Sequence, residues 1–203
     1  CDAYGTVTIT QDSTTSKYGS YSAKAVTGAT GYWGIWNSTG KVSVSSSTAY
    51  TGSVWVKGPS GQQGYFTIYE TNASDVFVTE TNSTFNYTGD WQRVSLSPTT
   101  STTTAFIRLR ILSVSASTTF YVDAIQLEQK SYATPYADGS LGNGHSWSGT
   151  AHASTSSRTA ATLTYPVAGN LNASAGTIHM VIAPANATGS WRAFTRILQT
   201  PPG

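Results

Sequence analysis

Between residues 1 and 130, apolar and polar positions alternate over short stretches. Residues 49–57 set Val54 and Val56 on one side and Ser53, Trp55 and Lys57 on the other. Residues 64–71 oppose Phe66 and Ile68 to Tyr65, Thr67 and Tyr69, and residues 105–111 oppose Ile107, Leu109 and Ile111 to Phe106, Arg108 and Arg110. A period of two is the signature of strands with one buried face. Further strands are predicted over residues 4–9, 21–26, 32–36, 41–44, 75–80, 91–96 and 118–127. They recur roughly every ten residues with turn signals between them, such as Gly58-Pro59-Ser60-Gly61 and Gly89-Asp90, and no stretch keeps a helical period. The fold class is therefore all-β: an antiparallel sandwich with an aliphatic hidden layer and outward aromatics left over for contact.

After Glu128 the alternation dissolves into Lys, Ser, Pro, Asp and Gly, which suit an exposed connection. Residues 142–149 read as a loop and residues 150–158 are small and polar. Strand patterns return over residues 160–165, 176–183 and 191–198, too few to close a second sandwich. The expected division is a sandwich over 1–129, a linker over 130–158, and the first strands of an incomplete second β domain over 159–203.

Composition narrows the function. Apolar residues make up 38% of the chain, enough for a packed core, whereas charged residues make up only 10%. The 61 Ser and Thr supply the polarity instead, giving a neutral, hydroxyl-rich surface. The net charge is +2, with no basic stripe of the kind that binds nucleic acid. One cysteine, Cys1, forms no intrachain disulfide, and no apolar run is long enough to span a membrane as a helix. The acidic residues show no readable glycosidase pair. Gly144-His145-Ser146-Trp147-Ser148 carries Ser where a nucleophile elbow needs Gly, and His145, His152 and His179 lack metal-ligand spacing. No enzyme activity is expected. Asn37, Asn72, Asn82, Asn86, Asn172 and Asn186 stand in Asn-X-Ser/Thr sequons, which turn-forming composition partly explains.

Four segments in order resemble the jelly-roll carbohydrate-binding modules attached to xylanases and glucanases: Lys17-Tyr-Gly-Ser-Tyr-Ser-Ala-Lys-Ala-Val26, Tyr50-Thr-Gly-Ser-Val-Trp-Val-Lys57, Gly89-Asp-Trp-Gln-Arg-Val94 and Phe120-Tyr-Val-Asp123. Two further pieces resemble such modules in bacteriophage tail and other virion proteins. They are Ile125-Gln-Leu-Glu128 with Tyr132-Ala-Thr-Pro-Tyr136, and Gly144-His-Ser-Trp-Ser-Gly-Thr150 through Ser156-Ser-Arg158. There this tail leads into a concanavalin-like, laminin-G-type domain.

The resemblance implies aromatic side chains that stack on the apolar faces of sugar rings, with polar groups at the edge for the hydroxyls. Trp33, Trp36, Trp55, Tyr65 and Tyr69 are the expected platforms, beside Tyr32. Arg108 is the expected polar partner, with Arg110, Gln62 and Gln63 behind it. It also implies that Trp91 packs in the core, and that one structural calcium ion sits at Asp123 with backbone oxygens around residues 18–20. The implied partners are a glycan or polysaccharide and other virion subunits in a homo-oligomer, on a virion surface or in the extracellular space. Two other roles fit the same residues: a decoration protein whose sheet face packs on a neighbouring subunit, and the binding appendage of a secreted bacterial polysaccharide-degrading enzyme.

Overall fold

The computed structural model describes residues 2–29, 33–37, 40–151 and 154–159. The strands expected beyond residue 159, together with Tyr32, His152 and His179, lie outside them. Among the described residues all regular structure is β: β1 (Asp2–Tyr4), β2 (Val7–Asp12), β3 (Ser22–Thr27), β4 (Trp33–Trp36), β5 (Val42–Ser43), β6 (Thr51–Lys57), β7 (Gln63–Thr71), β8 (Phe77–Asn86), β9 (Gln92–Leu96), β10 (Phe106–Ser113), β11 (Thr119–Glu128), β12 (His145–Trp147) and β13 (Ser156–Arg158). Two antiparallel sheets stack as a jelly roll. One is six-stranded in the order β1-β4-β10-β7-β8, with β5 also pairing β10; the other is five-stranded in the order β2-β3-β11-β6-β9.

The alternation read from the sequence is the alternation of burial. Val54, Val56, Phe66, Ile68, Ile107 and Ile111 are all fully buried, joined by Ile35, Leu109, Phe120 and Val122 in one core between the sheets. Trp91 departs from expectation: it is half-buried, and the large aromatic sealed in the core near that strand is Tyr87, 1% exposed.

Three local features also differ from the sequence reading. The first predicted strand is two, broken at Gly5 (φ 79), so that β1 enters the six-stranded sheet and β2 the five-stranded one. No side chain fits at that break, because a Cβ on Gly5 would lie 1.4 Å from the Trp33 ring. β8 continues to Asn86, its Ser/Thr/Asn-rich half held by register pairs with β7 from Thr67↔Asn82 to Gln63↔Asn86. Finally, the polar stretch after β11 is tied down. The Thr134 amide donates to Glu128 at 2.9 Å, the Ala137 amide donates to Gln126 at 2.9 Å, and Arg93 donates to the Thr134 carbonyl at 2.6 Å. Further on, β12 and β13 form a small hairpin of their own.

Candidate functional site

Positions that alternate with the core in β10 and β7 bring Arg108, Arg110, Leu112, Tyr65, Thr67 and Tyr69 to the outer face of the six-stranded sheet. Register places Trp36 beside Arg110, Tyr4 beside Gly34, and Glu80 and Asn82 beside Tyr69 and Thr67. An open groove of about 440 Å³ runs over this face, lined by Tyr4, Trp33, Tyr65, Thr67, Glu80, Asn82, Arg110 and Leu112.

Arg110 anchors the floor. It is 6% exposed, ion-paired with Glu80, and lies between two rings, 5.2 Å from the centre of Tyr4 and 4.7 Å from that of Tyr69. An Arg in this setting fixes its neighbouring rings by cation–π contact while the carboxylate neutralises it. Thr67 donates to Asn82 at 2.5 Å, which sets the amide beside the groove. Trp36 meets Tyr4 edge-on at 5.7 Å and Tyr69 at 6.5 Å, so the aromatics form a connected set rather than isolated platforms.

The expected site residues divide. Trp33, Trp36, Tyr65 and Tyr69 come together on this face, each half-buried. Trp55 does not: β6 belongs to the other sheet, and its outer face is a separate cluster. There the Lys17 ammonium lies 4.1 Å over the Trp55 ring, Tyr18 meets that ring edge-on at 6.2 Å, and Tyr18 packs on Tyr136 at 4.9 Å. Burial and the adjacent Asp138 raise the Tyr136 phenol above its ordinary pKa. Trp55 thus packs under local chain segments.

Arg108 is also engaged elsewhere. It is 7% exposed and grips Asp75 through two bonds of 2.7 Å, with Lys41 adding an ion pair at 3.3 Å. The Arg108 guanidinium, and after it the Thr71 hydroxyl, hold the Asp75 carboxyl well below the usual carboxylate range; Asp75 in turn raises the Arg108 pKa. Gln63 stands beside the face as an acceptor for the Tyr65 hydroxyl at 3.2 Å. Tyr4, Thr67, Glu80, Asn82 and Leu112 are groove residues that pattern reading did not single out. Their signal was outward parity in strands whose neighbours only the register reveals.

The expected calcium ligands do not fit a calcium ion. Asp123 accepts the Lys17 amide at 2.7 Å and the Tyr18 amide at 2.9 Å on one oxygen, and the Ala124 amide at 2.6 Å on the other. The loop turns N–H groups toward the carboxylate, where calcium requires six to eight oxygens. Asp12 accepts the Thr14 hydroxyl and the Thr14 and Thr15 amides within its own turn, which lowers its pKa. Among the described residues no three His, Cys, Asp or Glu side chains gather for a metal.

This architecture is that of the jelly-roll carbohydrate-binding modules. The CBM22-1 xylan-binding domain of Paenibacillus barcinonensis Xyn10C matches with a TM-score of 0.52 at 16% identity, over 65% of this chain and 86% of that one. The CBM22-1–GH10 modules of Clostridium thermocellum xylanase 10B, complexed with xylohexaose, match at 0.53 and 16%, over 68% of this chain and 27% of that one. Bacteriophage CBA120 tailspike protein 4 matches at 0.51 and 9%, over 64% of this chain and 18% of that one. At these identities the likeness is one of fold. No protein-family model and no curated protein sequence matches the chain.

Proposed function

We propose that the outer face of the six-stranded sheet binds a polysaccharide, with Trp33, Tyr65 and Tyr4 stacking on sugar rings and Glu80, Asn82 and Arg110 meeting the hydroxyls. The observation that carries this reading is the groove itself: aromatic walls around one fixed Arg–Glu pair and an amide, on a rigid sheet. Apolar rings with a few convergent polar groups suit a ligand whose faces are C–H and whose edges are hydroxyl. The fold likeness to a xylan-binding domain supports xylan or a similar polysaccharide as ligand.

Binding without cleavage is the mechanism. Among the described residues Glu80 is the one carboxylate lining the groove, and a glycosidase uses two flanking the scissile bond. The setting we favour is a virion surface, supported by the tail-like segment over 125–158 and by a tailspike sharing the fold. Multiple copies on a fibre then add avidity to a weak single site. The domain division at residues 129 and 158 belongs to the same proposal.

A glycan array over graded xylan, glucan and mannan oligosaccharides tests it. Retained binding in a Trp33→Ala/Tyr65→Ala double variant with an unchanged circular dichroism spectrum rules out this face.

A further inference from the structure

The aromatic face does not end at the groove. Beyond Tyr69 stands Phe77, whose ring centre lies 5.0 Å away at 37° and which is 52% exposed. Tyr4, Trp36, Arg110, Tyr69 and Phe77 come from β1, β4, β10, β7 and β8, one group from each successive strand of the sheet path. The row therefore crosses four strand spacings, roughly 19 Å.

Phe77 reaches this face only through an irregularity. Glu70 pairs with Thr79 but Thr71 pairs with Phe77, so Val78 is an extra residue on β8. Without that bulge, alternation would turn Phe77 to the opposite side from Glu80. Bulges of this kind re-aim a side chain.

The hairpin that carries Phe77 is fixed by a left-handed Asp and a set of local bonds. Asp75 holds φ 63, a left-handed conformation uncommon outside glycine though tolerated by Asp. Its carboxylate is clamped by Arg108 at 2.7 Å, by the Thr71 hydroxyl at 2.9 Å and by Lys41 at 3.3 Å. Asn72 accepts the Ser74 and Val76 amides at 3.0 Å each. A half-exposed phenyl ring is thus held in one place by an ion cluster, a bulge and a capped turn. Core packing alone does not need that, because the residue is half exposed.

We propose that Phe77 is a second stacking platform, and that it makes the face a binding surface for an extended chain of several sugars rather than for a short oligosaccharide. This rests on the glycan reading of the groove. In it, Trp33 and Tyr65 take the sugars in the groove and Phe77 takes a ring farther along the same chain. Arg108 and Asp75 are positioning residues, which accounts for their absence from the groove.

The test is Phe77→Ala on the full chain, measured against immobilised xylan, glucan and mannan oligosaccharides from disaccharide to hexasaccharide. The expected result is a loss of about three- to tenfold in affinity for the hexasaccharide that binds, with the trisaccharide unchanged. Unchanged hexasaccharide binding overturns this inference while leaving the groove reading intact, provided that Trp33→Ala weakens every length. Equal loss at all lengths also overturns it, placing Phe77 in the main groove. If the unaltered chain binds no member of the series, both the groove reading and this inference fall.

Discussion

Replacing Tyr87 with phenylalanine removes one oxygen from the middle of the sandwich. The ring is 1% exposed and packs against Phe85 at 5.1 Å and Phe120 at 6.0 Å, contacts that phenylalanine keeps. Its hydroxyl is buried and has no hydrogen-bond partner among the described residues. Burying such a group without a partner costs about 1–3 kcal/mol, whereas its removal here breaks no bond. Tyr87→Phe is therefore expected to stabilise the protein by about 1 kcal/mol, a rise of roughly 2–4 °C in Tm for a chain of this size. A second signature follows from pH. Burial raises the Tyr87 pKa above its ordinary value. Above about pH 10 the unfolded phenol loses its proton while the folded one keeps it. The folded state then binds more protons, so stability falls with rising pH by about 1.4 kcal/mol per unit for each such group. The variant loses the Tyr87 share of that fall, and the stability gap between the two proteins should widen from pH 10 upward. Urea denaturation from pH 7 to pH 11 measures both effects. A variant less stable than the parent at neutral pH, as when an ordered water satisfies the hydroxyl, would refute the reasoning, as would parallel pH profiles.

Two further perturbations probe the sheet and the loop anchor. A Cβ on Gly34 would lie 1.8 Å from the Ile111 carbonyl oxygen, on the backbone of the neighbouring strand. Gly34→Ala should cost about 3 kcal/mol in urea denaturation and open the groove beside Tyr4; parental stability would show that β4 and β10 are farther apart. Asp123→Ala leaves the Lys17 and Tyr18 amides without their acceptor and should lower stability by about 1–3 kcal/mol. Calcium or EDTA should leave the Tm of the parent chain unchanged, and a calcium-dependent rise would overturn the assignment of Asp123 as a loop anchor.

Legibility followed distance along the chain. Ile107, Leu109 and Ile111 were readable as core because alternation is a property of a few adjacent residues. The same rule put Trp55 and Tyr65 on outward faces with equal force, yet one lies on each sheet. Arg108 and Arg110 share a strand and a face, but Arg108 is gripped by Asp75 and Arg110 pairs with Glu80 under two rings. Nothing in their own neighbourhoods separates them, since both partners stand on the hairpin arm beyond β7.

What the residues settled unaided was inside against outside: periods of two, bounded by Gly, Pro and Asp turns, suffice for a β-sandwich with an aliphatic centre. What the folded chain alone decided was adjacency. Gly5 divides one apparent strand between two sheets, a single extra residue at Val78 swings Phe77 onto the aromatic face, and strand pairing gathers Tyr4, Arg110, Glu80 and Asn82 around one groove. Pairing partners far apart in sequence are selected by the packing of the whole core, and a local pattern carries no record of that choice.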